Sequence, residues 1–433
     1  MGQMTGTSLV KVSRYQGMLS ALILLWAFSC PTGSYAQSAQ LYWLGAPIGG
    51  RSVATDVSNS GIVVGYVQTS SGTHYPFYWH LSTRMQILNQ AAAGGANAVK
   101  ELHSNRFMMV GGVSQPPSPF LSTAFSWRSN WTRIRYDLGS TLSNAFDIGP
   151  TAGEVDDRYV VGWADYAGWP HAAYWISREN GVTGPFYIET DPNRRSYALA
   201  IGNMKPHIVG RITDAEGNWR AFYWDGLVGA DRDIHELGTL GGCCGAAEDV
   251  SATGNVIVGW AYDANNRIRA VRWNRRPGAY PQDLGTLGGN DSLAYSVDDG
   301  GYVIVGTAQR RNSQDFYAVM WLGSSIQDLN RLVSDQLLHG SRLIEATAIS
   351  PNARYIVGWG YNSATGRNEA FMIDLASSMP GDVDGDGCVN DSDLLAVLFA
   401  FGNAGGQEDI NHDGVVDDAD LLEVLFHFGE GQC

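Results

Sequence analysis

Two acidic segments near the C-terminus combine residue types and spacing that could bind a metal. They read DVDGDGCVNDSDLLAVLFAFG over 382–402 and DINHDGVVDDADLLEVLFHFG over 409–429. Each has oxygen-bearing side chains at loop positions 1, 3, 5, 9 and 12, and a glycine at position 6, where the loop must turn sharply. This spacing predicts a loop around Ca²⁺, a hard cation that takes about 6 to 8 oxygen ligands. Two copies in the same register predict two ions.

Each loop is followed by a helical pattern, and no helical pattern precedes it. The apolar residues of the two helices occur at matching places: Leu394, Leu395, Leu398 and Phe399 in the first, and Leu421, Leu422, Leu425 and Phe426 in the second. A full EF-hand has an entering helix and ends its loop in Glu, whereas both loops here end in Asp. The pattern resembles the type I dockerin, a small calcium-binding module, over residues 381–433. The two helices are expected to pack antiparallel.

The dockerin resemblance implies two bound Ca²⁺ ions with a defined set of ligands. The side-chain ligands implied are Asp382, Asp384, Asp386 and Asp393 in the first loop, and Asp409, Asn411, Asp413 and Asp420 in the second. Cys388 and Val415 would provide backbone carbonyls, and Asn390 and Asp417 would act through water. The resemblance also implies a cohesin-like partner domain, of the kind found in extracellular polysaccharide-degrading assemblies.

The partner domain of a dockerin recognises the residues at loop positions 10 and 11 and nearby helix residues. Here these pairs are Asp391–Ser392 and Asp418–Ala419, which depart from the hydroxyl pair of cellulosomal examples, and the helices lack basic residues. A divergent cohesin is one reading of this departure. The other is a calcium-stabilised module that has no partner.

The rest of the chain is a repeat that must position any further site. A Val-Gly pair recurs seven times, at spacings of 46 to 52 residues; its glycines are Gly65, Gly111, Gly162, Gly210, Gly259, Gly306 and Gly358. The best-defined copy has short β-branched or aromatic segments at 247–251, 256–261, 270–273 and 282–285, bounded by turn residues. Four strands per repeat of this length are typical of a propeller blade.

A second motif recurs in phase with the glycines. It reads YPFYW, TAFSW, HAAYW, RAFYW, RAVRW, YAVMW and EAFMI in the seven copies. Together with DLGTLGG at 283–289, HAAYW and RAFYW resemble the HAF family of extracellular repeats, which implies a secreted β-rich protein without established chemistry. The tryptophans of this motif are predicted to pack between blades, because they recur at one position.

The two ends of the repeat region complement each other. Residues 41–50 match the end of a repeat rather than its beginning, and the seventh repeat stops at 376 without a final strand. We therefore predict that 41–45 pairs with 370–374 and closes a seven-bladed β-propeller of four-stranded blades. The fold class is mainly β, with a small α-helical dockerin added.

Charge and N-terminal composition divide the chain further. The net charge is −15, but 381–433 holds 13 Asp and Glu and no Lys or Arg, so the remainder carries only −2. Such a distribution argues against nucleic-acid binding. Residues 1–36 have Lys11 and Arg14, an 11-residue apolar run and a small-residue site at Ala36, which predicts a cleaved secretory signal. Lipidation at Cys30 is an alternative; an 11-residue run is too short to span a membrane, which takes about 20.

These boundaries predict a signal peptide at 1–36, a propeller at 37–376, a linker at 377–380 and a dockerin at 381–433. The protein is then secreted, to the extracellular space or the cell surface. The state of the adjacent Cys243 and Cys244 is left open, as a structural or reduced pair or a reactive one. A disulfide is predicted between Cys388 and Cys433.

Two residue sets of the repeats could be mistaken for sites or could form them. Trp163, Trp260 and Trp359 follow the Val-Gly pair, where sibling repeats vary, and face either a ligand or unconstrained solvent. Asp56, Asp147 and Asp249 recur in the first strand and are interpreted as turn residues rather than a catalytic series. No catalytic motif of a hydrolase or a phosphate-binding loop occurs.

The sequence therefore favours a secreted, non-catalytic binding or scaffolding protein whose dockerin docks to a cohesin-like domain. The propeller could bind a carbohydrate or a protein. One alternative is a dockerin-tethered glycoside hydrolase or lyase with its site in the propeller cleft; against it, no unique acidic pair stands outside the repeat pattern. Another alternative is a cell-surface adhesion protein.

Overall fold

A computed structural model describes residues 39–88, 94–103, 106–114, 122–129, 142–228, 232–323, 325–375, 381–383, 388–403, 408, 410 and 415–429. All of them belong to the unit Gln37–Cys433. The predicted signal peptide at 1–36 and the predicted linker at 377–380 lie outside these ranges. No helix among the described residues is both long and apolar enough to cross a membrane.

The repeated segments form strands, as their β-branched and aromatic composition predicts. In chain order the strands are β1 Gln40–Gly45, β2 Gly49–Val57, β3 Val63–Thr69, β4 His74–Trp79, β5 Gln86–Ile87, β6 Gly94–Leu102, β7 Arg106–Ser114, β8 Ser122–Arg128, β9 Ser143–Thr151, β10 Arg158–Tyr166, β11 Trp169–Arg178, β12 Gly181–Tyr187, β13 Ser196–Ile201, β14 Ile208–Thr213, β15 Trp219–Trp224, β16 Ile234–Glu236, β17 Gly241–Val250, β18 Val256–Asp263, β19 Ile268–Asn274, β20 Gln282–Asp283, β21 Gly288–Val297, β22 Val303–Arg310, β23 Phe316–Leu322, β24 Ser325–Asp328, β25 Arg342–Ile349, β26 Tyr355–Asn362 and β27 Arg367–Asp374.

These strands form seven antiparallel sheets, which are the blades of a β-propeller. Blade 1 is β2 to β5, blade 3 is β9 to β12, and blades 4, 5 and 6 follow in the same order. Blade 2 shows three strands, β6 to β8, and residues 130–141 that follow lie outside the described ranges. The seven-bladed propeller with four-stranded blades is confirmed.

Blade 7 joins the two ends of the propeller. Its sheet order is β1-β27-β26-β25, so the N-terminal strand completes the C-terminal blade. Leu41 pairs with Ile373 and Trp43 with Phe371, antiparallel, with a bulge before Gly45. The predicted pairing is confirmed, and it gives β27 a hydrogen-bonded partner on its outer side.

The recurrent glycine of the second strand is required by a close approach of backbones. At Gly65, an added Cβ would overlap the carbonyl oxygen of Val53 on the neighbouring inner strand. The same clash with an inner-strand carbonyl occurs at all six sibling positions: Gly111, Gly162, Gly210, Gly259, Gly306 and Gly358. Each inner strand has a bulge beside this glycine, and the bulge brings the backbones of the two neighbouring strands close together.

The core is divided among the blade junctions. Seven apolar clusters each combine residues of two neighbouring blades, for example Trp273 of blade 5 with Val209 and Tyr223 of blade 4. The tryptophans of the second motif are 0% to 7% exposed: Trp79, Trp127, Trp175, Trp224, Trp273 and Trp321. Their predicted role as packing residues between blades is confirmed.

Helices are few among the described residues. The short helix α1, Leu329–Leu332, lies between blades 6 and 7. The helices α2, Asp391–Ala400, and α3, Asp418–Phe426, belong to the acidic tail and contact each other. They share a small core that is separate from the blade clusters and is built around Val389, Val397, Val416 and Val424.

Candidate functional site

The inner strands of the seven blades surround a central channel. Two recesses open into it, with about 490 Å³ and about 400 Å³ of empty space, part of which is open solvent. Both recesses are lined by Asp56, Asp147, Asp249 and Ser296, which we call the aspartate ring. The first recess otherwise lies on the C-terminal side of these residues along the inner strands, and the second on the N-terminal side.

The aspartate ring satisfies one backbone N–H from every blade. Asp56 accepts from Val57 of its own blade at 2.8 Å and from Val99 of the next blade at 2.8 Å. Asp147 and Asp249 do the same, each bridging its own blade and the next. The three carboxylates thereby accept one backbone N–H from each of six blades. The Ser296 hydroxyl accepts the N–H of Ile349, in the seventh blade, at 3.4 Å.

The interpretation of these aspartates as turn residues is therefore wrong. Their carboxylates join inner strands of neighbouring blades, because the bulge aims them along the channel wall instead of at the turn that follows. Ala98, Ala200 and Ala348 occupy the sibling positions that lack Asp. At Ala98 and Ala200 no carboxylate is needed, because the Asp of the preceding blade already accepts the backbone N–H. The ring is structural, as each carboxylate has both oxygens bonded to backbone.

Burial raises the pKa of Asp56 to about 7, of Asp147 to about 6 and of Asp249 to about 8; the charge of Asp147 adds to the effect at the other two. The pKa of Asp in an unfolded chain is about 3.9. The folded protein thus holds protons that the unfolded chain has released. Stability from these groups is fully present below about pH 4 and is lost as pH rises from there, with the loss complete above the folded pKa values of about 6 to 8.

We expect Asp249→Asn to destabilise the protein at pH 5 and to destabilise it less at pH 8. Asn keeps one acceptor and loses the other, which costs about 1 to 3 kcal/mol for an unsatisfied buried N–H. At pH 8 this cost is offset, because the buried carboxylate charge is gone. Thermal unfolding at both pH values, in saturating calcium, checks the prediction. The matched control is Asp263→Asn, since that residue's pKa is lowered by the Arg267 N–H and its effect should not change over this range. Equal losses at the two pH values for Asp249→Asn would contradict it.

A polar chain crosses the first recess. Lys100 of blade 2 donates to the Asn203 side chain, whose amide donates to Asp299 at 2.6 Å. Burial lowers the pKa of Lys100 and raises that of Asp299. The three residues come from blade 2 and from turns that follow the inner strands of blades 4 and 6. These contacts tie three blades together across this end of the channel.

The second recess opens into an arc of aromatic and charged residues. We define the channel mouth as Tyr66, Tyr197, Arg211, Glu248, Tyr295 and Glu345. Burial raises the pKa of Tyr295, and the charges of Glu345 and then Glu248 add to the effect. Glu345 also acts on Tyr66, and Arg211 acts on Glu248. The arc thus continues from blade 1 through blades 7, 6 and 5 to blade 4.

Two tryptophans hold the glutamates of the channel mouth. Trp260 Nε1 donates to Glu248 Oε1 at 2.8 Å, and Trp359 Nε1 donates to Glu345 Oε2 at 2.8 Å. Burial raises the pKa of both glutamates, while these hydrogen bonds oppose the shift. Both indole rings are partly exposed. Both indoles therefore have a partner within the protein, and the reading in which they also face a ligand stays a prediction.

Arg211 closes the other end of the arc by stacking on aromatic rings. Its guanidinium carbon lies 5.0 Å from the ring centre of Tyr197 and 4.9 Å from that of Trp219. Trp163 contacts Tyr197 edge-on, with 6.1 Å between ring centres. The Arg211 Nε atom is buried without a hydrogen-bond partner, while the rest of the side chain is partly exposed. This fixes a cation beside the acidic half of the mouth.

Glu248 and Glu345 correct the expectation that no unique acidic pair stands outside the repeat. The siblings of Glu248 are Thr55, Asn97, Phe146, Leu199, Tyr295 and Thr347; those of Glu345 are Val53, Gly95, Asn144, Tyr197, Ala246 and Leu293. Each glutamate is the only acidic residue at its repeat position. A comparison of equivalent positions in the seven repeats would have identified both glutamates as exceptions. It would not have paired them, because they occupy different positions in different repeats.

The described parts of the two predicted calcium loops share one hydrogen-bond pattern. Asp393 accepts from the N–H of Val383 at 2.7 Å and of Asn390 at 2.8 Å; Asp420 accepts from Ile410 at 2.7 Å and Asp417 at 2.9 Å. Asn390 and Asp417 in turn cap α2 and α3 through their side chains. Position 12 of each loop therefore folds back to positions 2 and 9, and both aspartates are fully buried.

Of the predicted calcium ligands, seven lie among the described residues: Asp382, Cys388, Asn390, Asp393, Val415, Asp417 and Asp420. The other five lie outside them: Asp384, Asp386, Asp409, Asn411 and Asp413. Within the described ranges no group of three or more His, Cys, Asp or Glu is arranged to hold a metal ion. Since two of the six predicted ligands of the first loop and three of the six of the second lie outside the described residues, the calcium site stays a prediction.

The tail helices expose much of their apolar surface. Four pairs at equivalent places in the two halves are 47% to 84% exposed: Leu395 and Leu422, Leu398 and Leu425, Phe399 and Phe426, and Phe401 and Phe428. We call these eight residues the apolar face. Of the apolar residues predicted for the helices, only Leu394 and Leu421 pack against the tail core, which is filled by valines instead. Most of the predicted helix positions therefore face outward.

The cysteines also find partners. Cys243 and Cys244 are joined to each other at the start of β17, so of the states left open the structure has a vicinal disulfide. Cys388 is disulfide-bonded as well, to a cysteine outside the described residues. A bridge to Cys433 remains the prediction, to be checked by peptide mapping of secreted protein.

Comparison with known proteins finds likeness in fold only. No family model and no curated protein matches the chain. Among solved structures it is similar to TolB from Acinetobacter baumannii, with 12% identity, a TM-score of 0.41, and 72% of this chain and 78% of that chain covered. It is also similar to the β-propeller domain of the Trilobed protease from Pyrococcus furiosus, with 10% identity, a TM-score of 0.45, and 77% and 95% covered. For BP39L lectin from Burkholderia pseudomallei the values are 10%, 0.41, and 78% and 97%.

Proposed function

We propose that this chain is a secreted binding protein with two working parts. The HAF-type propeller holds a ligand at the channel mouth, and the tail is a type I dockerin that binds two Ca²⁺ ions and docks to a cohesin-like domain. The observation that carries the proposal is the matched closure of the two acidic loops, with one buried aspartate in each. Such closure supports a pair of equivalent cation-binding loops.

The residues present fit calcium. Asp393 and Asp420 each accept two backbone N–H groups, and carboxylate oxygens are ligands that Ca²⁺ prefers. Asp382, Asp384 and Asp386 would complete the first loop with Asp393, and Asp409, Asn411 and Asp413 the second with Asp420. Bound calcium would neutralise part of the negative charge of the tail, and the loops would hold α2 and α3 in place.

The apolar face supports docking, since surface apolar residues in a contiguous set commonly mark an interaction site. We expect the secreted chain to be retained by a cohesin-like domain in calcium and released by a chelator. Changing both Phe399 and Phe426 to Ser should abolish retention without changing calcium binding. The matched control is Tyr280→Ser on the propeller, since Tyr280 is 85% exposed and Phe399 is 84% exposed. Retention that survives the chelator, or that persists in the double variant, would contradict the proposal.

A second candidate function, a polysaccharide-active hydrolase, is favoured by Glu248 and Glu345. Glycoside hydrolases use two carboxyl groups, one as an acid with a raised pKa. Both glutamates have raised pKa values and both belong to the channel mouth. Release of new reducing ends from a polysaccharide, abolished by Glu345→Gln, would establish this function; binding without release supports the first.

A further inference from the structure

The channel mouth presents free hydrogen-bond acceptors. Trp260 occupies one oxygen of Glu248, and Trp359 occupies one oxygen of Glu345. Among the residues that the structure describes, neither second oxygen has a protein partner, and neither is sealed from solvent. Tyr295, which lines the second recess together with Glu248, has a hydroxyl that can donate or accept. A ligand that enters here therefore meets two open carboxylate oxygens and a phenol.

The donors around the second recess are used within the protein. The Thr55 and Thr347 hydroxyls donate to the backbone of the next blade, at Ala96 and Ala54, both at 2.8 Å. Asn97 donates its amide to Ala145 at 2.7 Å and to Asn144 at 2.9 Å. The aspartate ring below has each oxygen occupied by backbone N–H. The recess consequently offers acceptors, and it suits a ligand that brings its own donors.

Aromatic surface surrounds these acceptors. Trp163, Trp260 and Trp359, of blades 3, 5 and 7, and Tyr66 and Tyr197, of blades 1 and 4, are all partly exposed. The hydrogen bonds from the indole nitrogens fix the rings of Trp260 and Trp359, so they lose little rotamer freedom when a ligand binds. The recess beside these rings has about 400 Å³ of empty space, part of which is open solvent.

We propose that the channel mouth binds a neutral carbohydrate chain, with sugar rings against the tryptophans and hydroxyls donated to Glu248, Glu345 and Tyr295. Sugar rings combine an apolar face, which packs on an aromatic ring, with a rim of hydroxyl donors, which suits open carboxylates. Acidic sugars are disfavoured, because Glu248 and Glu345 repel them at the open acceptors, although Arg211 and Arg51 lie near other parts of the mouth. The inference rests on the proposed function and names the ligand class of the propeller.

Calorimetric titration of the full secreted chain tests this assignment. The probes are hexasaccharides: cellohexaose, xylohexaose and mannohexaose as neutral chains, hexagalacturonic acid as an anionic chain and a chitosan hexamer as a cationic chain. We expect at least one neutral hexasaccharide to bind, in calcium and in chelator alike. Tyr295→Phe and Glu345→Gln should each weaken it about ten-fold, as expected for the loss of one hydrogen bond to a charged group.

The matched control is Tyr302→Phe. Tyr302 belongs to the same blade but lies between β21 and β22, at the opposite end of the inner strand from the mouth, and it is 56% exposed. It should bind like the unchanged chain, and all variants should unfold at the same temperature. Binding of the chitosan hexamer alone, or of no neutral hexasaccharide, would overturn the proposal. So would equal affinities for the Tyr295→Phe and Tyr302→Phe variants. Because the tail is idle in chelator, a failure of docking leaves this result unaffected.

Discussion

Removal of residues 37–45 should abolish cooperative unfolding of the propeller. The deletion takes away β1, and with it every partner of the outer edge of β27 from Ala370 to Asp374. It also takes Leu41 and Leu44 from two core clusters, where they are 8% and 7% exposed. A further clamp is lost, since Gln336 bonds the backbone of both Ala39 and Leu41 at 2.6 and 2.8 Å.

The expected loss is a large part of the total stability. Truncating a single buried leucine to alanine costs about 2 to 5 kcal/mol, while a typical domain is stable by about 5 to 15 kcal/mol. The deletion removes two such leucines and one row of ladder hydrogen bonds. Calorimetry and urea unfolding should show a broad, lowered transition and a smaller denaturant slope.

Point variants separate the closure from general damage at the N-terminus. Leu41→Ala should cost about 2 to 5 kcal/mol. Gln40→Ala is its neighbour and control, because Gln40 is exposed and its side chain bonds only the adjacent carbonyl at 3.4 Å. If the deleted protein melted as sharply and at the same temperature as the full chain, closure by β1 would not stabilise the propeller.

Calcium should control folding of the tail while leaving the propeller nearly unchanged. Each predicted loop brings four carboxylates, or three and an amide, toward one point. Two like charges about 4 Å apart repel by about 4 kcal/mol at an effective dielectric near 20. The segment 381–433 has no Lys or Arg to relieve this repulsion. Metal binding and formation of α2 and α3 should then be one event.

The secreted chain should show two calorimetric transitions in calcium, and the one that belongs to the tail should disappear in chelator. Asp382→Ala and Asp409→Ala should each weaken that transition, because each removes the first ligand of one loop. Asp391→Ala is the matched control: it removes a negative charge from the same loop, at an exposed position outside the predicted ligand set. Circular dichroism should follow the same order. An equally helical tail in chelator would leave the dockerin assignment without a physical basis.

The sequence was sufficient for the propeller because its strongest constraint is local. The glycine beside each bulge cannot carry a Cβ, so it recurs in every repeat and sets the register of the whole fold. The closure at β1 followed from the same register. The calcium loops stay a prediction, and they too rest on a local pattern, since their proposed ligands are spaced along one short segment.

The channel mouth could not be predicted, because its residues are brought together only by the circular arrangement. Glu248, Tyr295 and Glu345 are about one repeat apart from each other in sequence and belong to three successive blades. The bridging role of Asp56 was missed for the same reason, since Val99 lies in the next repeat. In α2 the failure was different: Leu394, Leu395, Val397, Leu398 and Phe399 surround most of the helix, so apolar spacing could not tell which side is buried.

The aspartate ring makes blade number subject to a rule of parity. Each Asp carboxylate accepts one backbone N–H from its own blade and one from the next. A ring made only of alternating Asp and Ala blades therefore satisfies every such N–H only if the number of blades is even. Seven is odd, and the unpaired blade requires the single-acceptor Ser296. Loss of any one of the first six blades would leave a buried N–H without an acceptor or a carboxylate oxygen without a donor, whereas loss of the seventh would leave an even ring that needs no serine. Descendants of this propeller with eight blades should therefore lack the serine, and those with nine should gain an Asp-bearing and an Ala-bearing blade together.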